Sequence, residues 1–436
     1  RQCDDGVVLG DPEDRTVWQL CARESGGGPI YDLRIHRGVL QPAAEALRRA
    51  KFAGKITLLS AAPNAPVDRP NLSKDYLDGH AKAEWMPLRD EDWYAQRDID
   101  LRLNTQVTRV DSGAHTIHLA QGDALRYDKL LLATGAAPRH LRNTPGADLN
   151  GVYTLRTLAD ADDIIQAVEQ GKRVVVVGAS FIGMEVAASL AGGRGASVSV
   201  VAPESVPFNR TLGEEIGRMF QHEHEAQGVQ FYLDDGVSAL VGENGTVSSV
   251  QLKSGKTLAA DFVVVGVGVA PATEFLRDSG IVLDEKDGSV HVDTRLQTSD
   301  PDIYAAGDIA RWGESGGTRI EHWRVAQQQG IAAARNMLGV EDDVRHHVPF
   351  FWTTQWGVTL NYVGHAAGWD EIIYRGAPER KQFIAFYVAD GQLKATAGCG
   401  HDQDLIAIEW ILQHHLPLSA DQMRDAAFSL VDYVRG

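Results

Sequence analysis

Four consecutive valines at 174–177 run into Gly178, and Ser180 and Gly183 follow before an apolar helical pattern continues to Leu190. The pattern predicts a buried parallel strand, a tight turn and the first turn of a helix. Unpaired N–H groups and partial positive charge at such a helix start make a receptor for a pyrophosphate. Gly178 permits the turn, and Gly183 lets the helix pack close to the strand; Ser180 replaces the middle glycine of G-x-G-x-x-G. The candidate dinucleotide loop is therefore Gly178, Ser180, Phe181, Ile182 and Gly183. Loops of this spacing also occur in α/β folds that bind nothing. The strand before it and the helix after it favour binding.

The elements that must hold this loop read as alternating α and β. A helix is expected over 42–50, a strand at 56–59, alternating strands within 99–119, and a buried strand at 129–133 ending in Thr134-Gly135. The loop unit spans 172–203, with strands near 229–233, 247–252 and 261–267, and Gly266-Val267-Gly268 marks a boundary. A strand at 302–306 precedes Gly307-Asp308, and a helix follows over 326–338. From about 348 the chain turns aromatic, and strands at 358–363, 371–374, 382–388 and 393–398 suggest an antiparallel sheet closed by a helix at 402–414. Glu24-Ser25-Gly26-Gly27-Gly28-Pro29 reads as a linker.

With 436 residues the chain has room for two or three cores. A net charge of −17 with scattered Lys and Arg argues against nucleic acid as a partner. No run of ~18 apolar residues suggests a membrane span, and the polar start carries no secretory signal. The start also lacks methionine, so the chain reads as a processed or partial product. Three cysteines, Cys3, Cys21 and Cys399, form no C-x-x-C and no disulfide framework, which suggests a reducing, cytoplasmic setting. His346-His347 and His414-His415 lack metal-ligand spacing, and no metal site is expected.

Four further islands accompany the loop: Asp68-Arg69-Pro70-Asn71-Leu72-Ser73-Lys74; residues 127–139 with Thr134-Gly135; Ile303-Tyr304-Ala305-Ala306-Gly307-Asp308; and Glu321-His322-Trp323 with Ala326 and glutamines 327–329. In this order the chain resembles the FAD-dependent pyridine nucleotide-disulfide oxidoreductases over about residues 43–430. It is most similar to the ferredoxin-reductase and apoptosis-inducing-factor-like branch, with putidaredoxin-reductase-like members. The resemblance implies an α/β fold: two Rossmann-like dinucleotide-binding domains, for FAD and NAD, plus a C-terminal α+β domain. The implied boundaries are 29–146 with 270–345 for FAD, 147–269 for NAD(P) and 346–436 for the C-terminal unit. Residues 1–28 form an irregular segment with a faint Rieske-like lead-in at 5–11, but no C-x-x-H follows it.

By the same resemblance, Arg69, Pro70, Lys74, Thr134, Gly135, Gly307, Asp308, His322, Trp323 and Trp352 line the FAD site. Lys74 would stabilise charge developing on reduced flavin. Glu185 would pair with Lys74 beside the nicotinamide. The His322-Trp323 backbone would face the flavin pyrimidine edge, with Trp323 and Trp352 flanking the ring. Lys74, Glu185 and Trp323 are the implied catalytic residues. Plainer roles stand beside these: a solvated loop lysine, an acid at a helix start, an Asx-type turn at Gly307-Asp308, and tryptophans in a core. Glu204, two positions beyond the family's ribose-binding acid, favours NADH, and no arginine lies in the immediate turn. Gly268 borders the NAD(H) site.

Two features depart from the family. The first glycine fingerprint is expected just before Ala43, yet 32–42 reads DLRIHRGVLQP, retaining only Gly38. The acid after the next strand is also missing, in Ser60-Ala61-Ala62-Pro63. The flavin half of the FAD site thus reads as intact and the ADP half does not. The expected function is an NADH-dependent reductase passing electrons through FAD to a ferredoxin or Rieske-type iron–sulfur protein, as a monomer or homodimer. Arg295, Arg311, Arg319 and Arg324 are candidates for a basic docking patch. The alternatives are a reductase-like scaffold with weak or lost FAD binding, acting through nucleotide or protein contacts, and a flavoprotein that feeds oxygen or quinones.

Overall fold

A computed structural model describes residues 39–313 and 317–436. The sequence features assigned to 1–38, including the linker, the Rieske-like lead-in and Gly38, lie outside the described residues. The valine run forms the centre of a five-stranded parallel sheet, in the order Gln230–Tyr232, Ser197–Val201, Arg173–Val177, Phe262–Val265, Val152–Tyr153. Val174, Val175 and Val176 are at most 1% exposed, as a central strand covered on both faces requires. The helix Phe181–Gly192 follows directly. A Cβ on Gly183 would lie 2.0 Å from the Gly178 carbonyl oxygen, and one on Gly178 would lie 2.2 Å from that of Gly266. Three segments therefore meet backbone to backbone, and Gly178 adds a φ of 113° that side chains resist.

A second set of strands is assembled from distant segments. Leu130–Leu132 runs parallel to Ile303–Ala305, and Ala136–Pro138 pairs antiparallel with Val269–Pro271. Lys129 bonds Asp302, 173 residues away, beside this pairing. Ile56–Leu59 lies parallel to Ile99–Arg102. The helix Leu40–Arg49 opens the described chain and packs on the helix Trp323–Met337. Pro42 sits within the first turn, where its missing N–H costs nothing, and Ala43 N–H makes the first bond, to Val39.

The C-terminal sheet is antiparallel in the order Phe350–Gln355, Val358–Gly364, Gln392–Cys399, Gln382–Ala389, Glu371–Ala377, with the helix Asp402–Gln413 against it. One hydrophobic core joins this sheet, the nucleotide-loop helix and the segment 67–86. Three parts of the chain are thereby clamped at one junction. His224, on the helix Glu214–Ala226, is 0% exposed there. Its Nε2 hydrogen-bonds Gln355 Oε1 at 2.8 Å, and Trp356 meets its ring edge-on. Desolvation pushes its pKa down from 6.5 to about 4. No helix among the described residues is long and apolar enough to cross a membrane.

Two outcomes are expected. Gly183→Ala must move backbone, not a flexible side chain, and should lower the unfolding free energy by about 2 kcal/mol or more, read from urea titration. The unfolded chain protonates His224 near pH 6.5 while the fold keeps it neutral to about 4, so its contribution is complete above 6.5 and is lost as pH falls. By pH 5 that loss should be about 2 kcal/mol. Urea midpoints at pH 7 and 5 should show it, and His224→Phe should flatten the slope.

Candidate functional site

Lys74 leaves the 3-10 turn Arg69–Ser73, and Glu185 stands in the first turns of the nucleotide-loop helix. The shared core brings the two together. Lys74 Nζ lies 2.8 Å from Glu185 Oε2, with side chains 14% and 4% exposed. Lys74 also donates to the Pro70 carbonyl at 3.1 Å. Ser73 Oγ donates to Glu185 Oε2 at 2.5 Å, and Thr353 Oγ1 donates to Oε1 at 2.7 Å. Every partner of this carboxylate is a donor, the arrangement a buried anion requires. Lys74 is thus no solvated loop lysine, and Glu185 serves as more than a helix-end acid.

A second charged group assembles around Gly135. A Cβ there would lie 3.0 Å from Arg156 Nη2, 3.8 Å from Arg69 Nη1 and 3.9 Å from Asp308 Oδ2. Arg156 donates to Asp308 Oδ2 at 2.6 Å, while its Nε is buried with no hydrogen-bond partner. Desolvation and then the Arg156 charge draw the Arg69 guanidinium down to about 10, still charged at neutral pH, and Arg69 keeps an exposed edge. Two guanidiniums against one carboxylate leave net positive charge. Thr134 Oγ1 donates to the Ala272 carbonyl, and Gly307 N–H donates to Gln329 Oε1 at 2.7 Å. The sequence reading missed Arg156. Its signal was an arginine just before Thr157, whose capping box with Asp160 starts the helix Leu158–Gln170.

His322 caps the helix Trp323–Met337 without a side-chain bond of its own. Its ring lies tilted against Phe351 with centroids 4.6 Å apart, and desolvation, with His365 second, lowers its pKa to about 3. His322 Nδ1 and Trp323 Nε1 are buried with no hydrogen-bond partner. Trp352, half-buried on the strand Phe350–Gln355, stacks with Phe350, whose ring also faces the Arg324 guanidinium. At the nucleotide loop Ser180 makes no capping bond, so the first N–H groups of the helix remain available. Phe181 packs between Phe208 and Phe351, Ile182 is exposed, and Gly268 accepts a bond from Arg139 N–H.

One expectation needs correction. The basic patch is not free: Arg295 pairs with Glu341, Arg311 with Asp287, Arg319 with Asp287 and Glu321, and Arg324 with Glu409. Sequence counted the cations but not the acids that the fold folds back onto them. The immediate turn after the strand Ser197–Val201 holds no arginine, and the short helix beyond it, Asn209–Leu212, brings Arg210 Nε to 3.8 Å from Glu204. Of the histidine pairs, His347 meets Asp342 and His414 stacks on Trp410. Among the described residues, one His/Asp grouping has ligand spacing, His115 with Asp300 and Asp302, and Lys129 already bridges Asp302.

Arg156→Ala removes half of the positive charge at Gly135 and leaves Asp308 without its ion pair. The variant should retain at least tenfold less FAD than the parent after loading and desalting, scored by flavin absorbance, the loss of about one charged hydrogen bond.

Residues 42–330 match the sequence pattern of the pyridine nucleotide-disulphide oxidoreductases, and residues 350–434 match that of the reductase C-terminal domain. Apoptosis-inducing factor 3 of Homo sapiens is 40% identical over 363 residues, covering 82% of this chain. The chain spans only 59% of that relative's length. Rhodocoxin reductase of Rhodococcus erythropolis is 34% identical, covering 89% of this chain and 90% of the relative. Among solved structures, the ferredoxin reductase for the CYP199A2 system of Rhodopseudomonas palustris aligns with a TM-score of 0.85 at 32% identity, over 90% of this chain and 96% of that one. The putidaredoxin reductase–putidaredoxin covalent complex aligns equally well at 30% identity, over 91% and 95%. With its nucleotide loop, its buried Lys74–Glu185 pair and these matches along nearly all the described residues, the chain belongs to the pyridine nucleotide-disulphide oxidoreductase family.

Proposed function

We propose that this chain is an NADH-dependent flavoprotein reductase that passes electrons through FAD to a ferredoxin or Rieske-type iron–sulfur protein. The observation that carries the reading is the buried Lys74–Glu185 pair, placed where the nucleotide-loop helix meets the 67–86 segment. Relatives support it: one is named a benzene 1,2-dioxygenase system ferredoxin–NAD(+) reductase subunit, and a structural neighbour is a reductase captured with putidaredoxin.

The residues present fit the flavin. The net positive Arg69–Arg156–Asp308 cluster suits a pyrophosphate, and the unpartnered Arg156 Nε is a donor in search of an acceptor. Asp308 is left to accept from a ribityl hydroxyl. Backbone N–H groups at His322 and Trp323 open a helix, where a pyrimidine carbonyl is well received. Bound FAD supplies acceptance of a hydride from nicotinamide and release of single electrons. Lys74 holds a fixed positive charge for the reduced ring, and Glu185 holds Lys74. Gly178, Ser180, Phe181, Ile182 and Gly183 receive the NADH pyrophosphate, with Gly268 beside them, and Glu204 accepts from the adenosine ribose. Arg210 tempers that preference against a 2′-phosphate.

The matching division of labour is 29–146 with 270–345 for FAD, 147–269 for NAD(H) and 346–436 for the C-terminal unit. No C-x-x-C occurs in the sequence, so no dithiol relay is built into the chain. A reducing, cytoplasmic setting belongs to this reading, with three cysteines too few for a disulfide framework. With four candidate arginines neutralised by acids, the acceptor must dock through shape and short-range contacts, not long-range attraction.

The test is direct. The purified protein is loaded with FAD, desalted and mixed anaerobically with NADH. Rapid bleaching of the retained flavin is expected, faster with NADH than with NADPH. Retained flavin that NADH fails to bleach overturns the reductase, and a colourless protein leaves the nucleotide-binding scaffold.

A further inference from the structure

A chain of buried hydrogen bonds runs from the helix Glu214–Ala226, through the C-terminal sheet, into the Lys74–Glu185 pair. His224 Nε2 meets Gln355 Oε1 at 2.8 Å, Gln355 Nε2 donates to Thr353 Oγ1 at 2.9 Å, and Thr353 Oγ1 donates to Glu185 Oε1 at 2.7 Å. His224 and Thr353 are 0% exposed, Gln355 1% and Glu185 4%. Thr353 and Gln355 stand two residues apart on one strand, so their side chains share a face and point at the same junction.

The chain has a direction. His224 Nδ1 is buried with no hydrogen-bond partner, so a proton there would be left unsatisfied; the imidazole therefore carries its proton on Nε2 and donates it to Gln355 Oε1. The neutral imidazole then fixes the amide with its NH₂ toward Thr353. Thr353 is thereby an acceptor on that side, and its single hydroxyl proton is left for Glu185. Were the amide reversed, its oxygen would face Thr353 and compete with the carboxylate for the single hydroxyl proton.

We propose that His224, Gln355 and Thr353 are positioning residues for hydride transfer: the imidazole orients the amide, the amide orients the hydroxyl, and the hydroxyl holds the Glu185 carboxylate in place against Lys74. The proposal rests on the reductase reading given above. It makes the C-terminal sheet part of the reaction site and ties the strand Phe350–Gln355 to the helix Glu214–Ala226 through one relay of side chains.

The test uses the FAD-loaded full chain in anaerobic stopped flow, comparing the parent with Thr353→Val, Thr353→Ser and His224→Phe. Thr353→Val keeps the shape and deletes the hydroxyl. Its limiting rate of flavin bleaching should fall about tenfold, the range of one hydrogen bond to a charged group, with the half-saturating NADH concentration unchanged. Thr353→Ser should restore the rate. His224→Phe should fall in the same direction, and its combination with Thr353→Val should be no slower than Thr353→Val alone, because both act through the same hydroxyl. Parental rates in Thr353→Val, equal losses in Val and Ser, or additive losses in the double variant would each overturn the proposal. If NADH does not bleach even the parent, the reductase reading fails on its own. The relay is then judged by urea unfolding: Thr353→Val and Glu185→Gln should shift the midpoint non-additively, and simple additivity overturns it. The same titration, together with retained flavin, identifies a variant that fails to fold, and Thr353→Ala then replaces Thr353→Val.

Discussion

An ammonium and a carboxylate held almost out of water set the terms for the rest of this molecule. A pair buried as deeply as Lys74 and Glu185 costs several kcal/mol to desolvate, and its attraction repays that only with good geometry and further hydrogen bonds. The chain meets the condition with donors from two other places, Ser73 beside the lysine and Thr353 from the C-terminal sheet. Thr353 reaches Glu185 only when the three-part core is closed. The pair therefore functions as a check on assembly: a misdocked C-terminal sheet leaves a buried carboxylate short of a partner, a penalty of the kind that makes wrong packings uncompetitive.

The second charged site follows a different logic. Around Gly135 the guanidiniums outnumber the acid, and the surplus is the feature that invites an anion. At Arg295, Arg311, Arg319 and Arg324, by contrast, each guanidinium is paired with an acid.

Much of this was legible in the order of residues. The valine run, the loop after it and the alternating C-terminal strands announce themselves through period and composition, and the expected strand at 56–59 and helix at 402–414 coincide with Ile56–Leu59 and Asp402–Gln413 to within a residue. The strand Phe350–Gln355 was not separated from its aromatic surroundings, although Thr353 and Gln355 at alternate positions were a trace of an inward polar face. Arg156 and His224 were invisible for a plainer reason. Each acts on a residue more than 100 positions away, and periodicity reports only on neighbours. Arg210 shows the same limit at short range, since a four-residue helix turned it back toward Glu204.

The pairing of Leu130–Leu132 with Ile303–Ala305 has a consequence for how the polypeptide is made. The earlier strand leaves the ribosome well before its neighbour exists, and the self-contained parallel sheet between them can close first. Its edge must wait, exposed, through the synthesis of an entire intervening unit, and loop closure over that span is slow. Three-residue strands are a fitting answer to that delay: an edge so short offers little for a stray chain to grip.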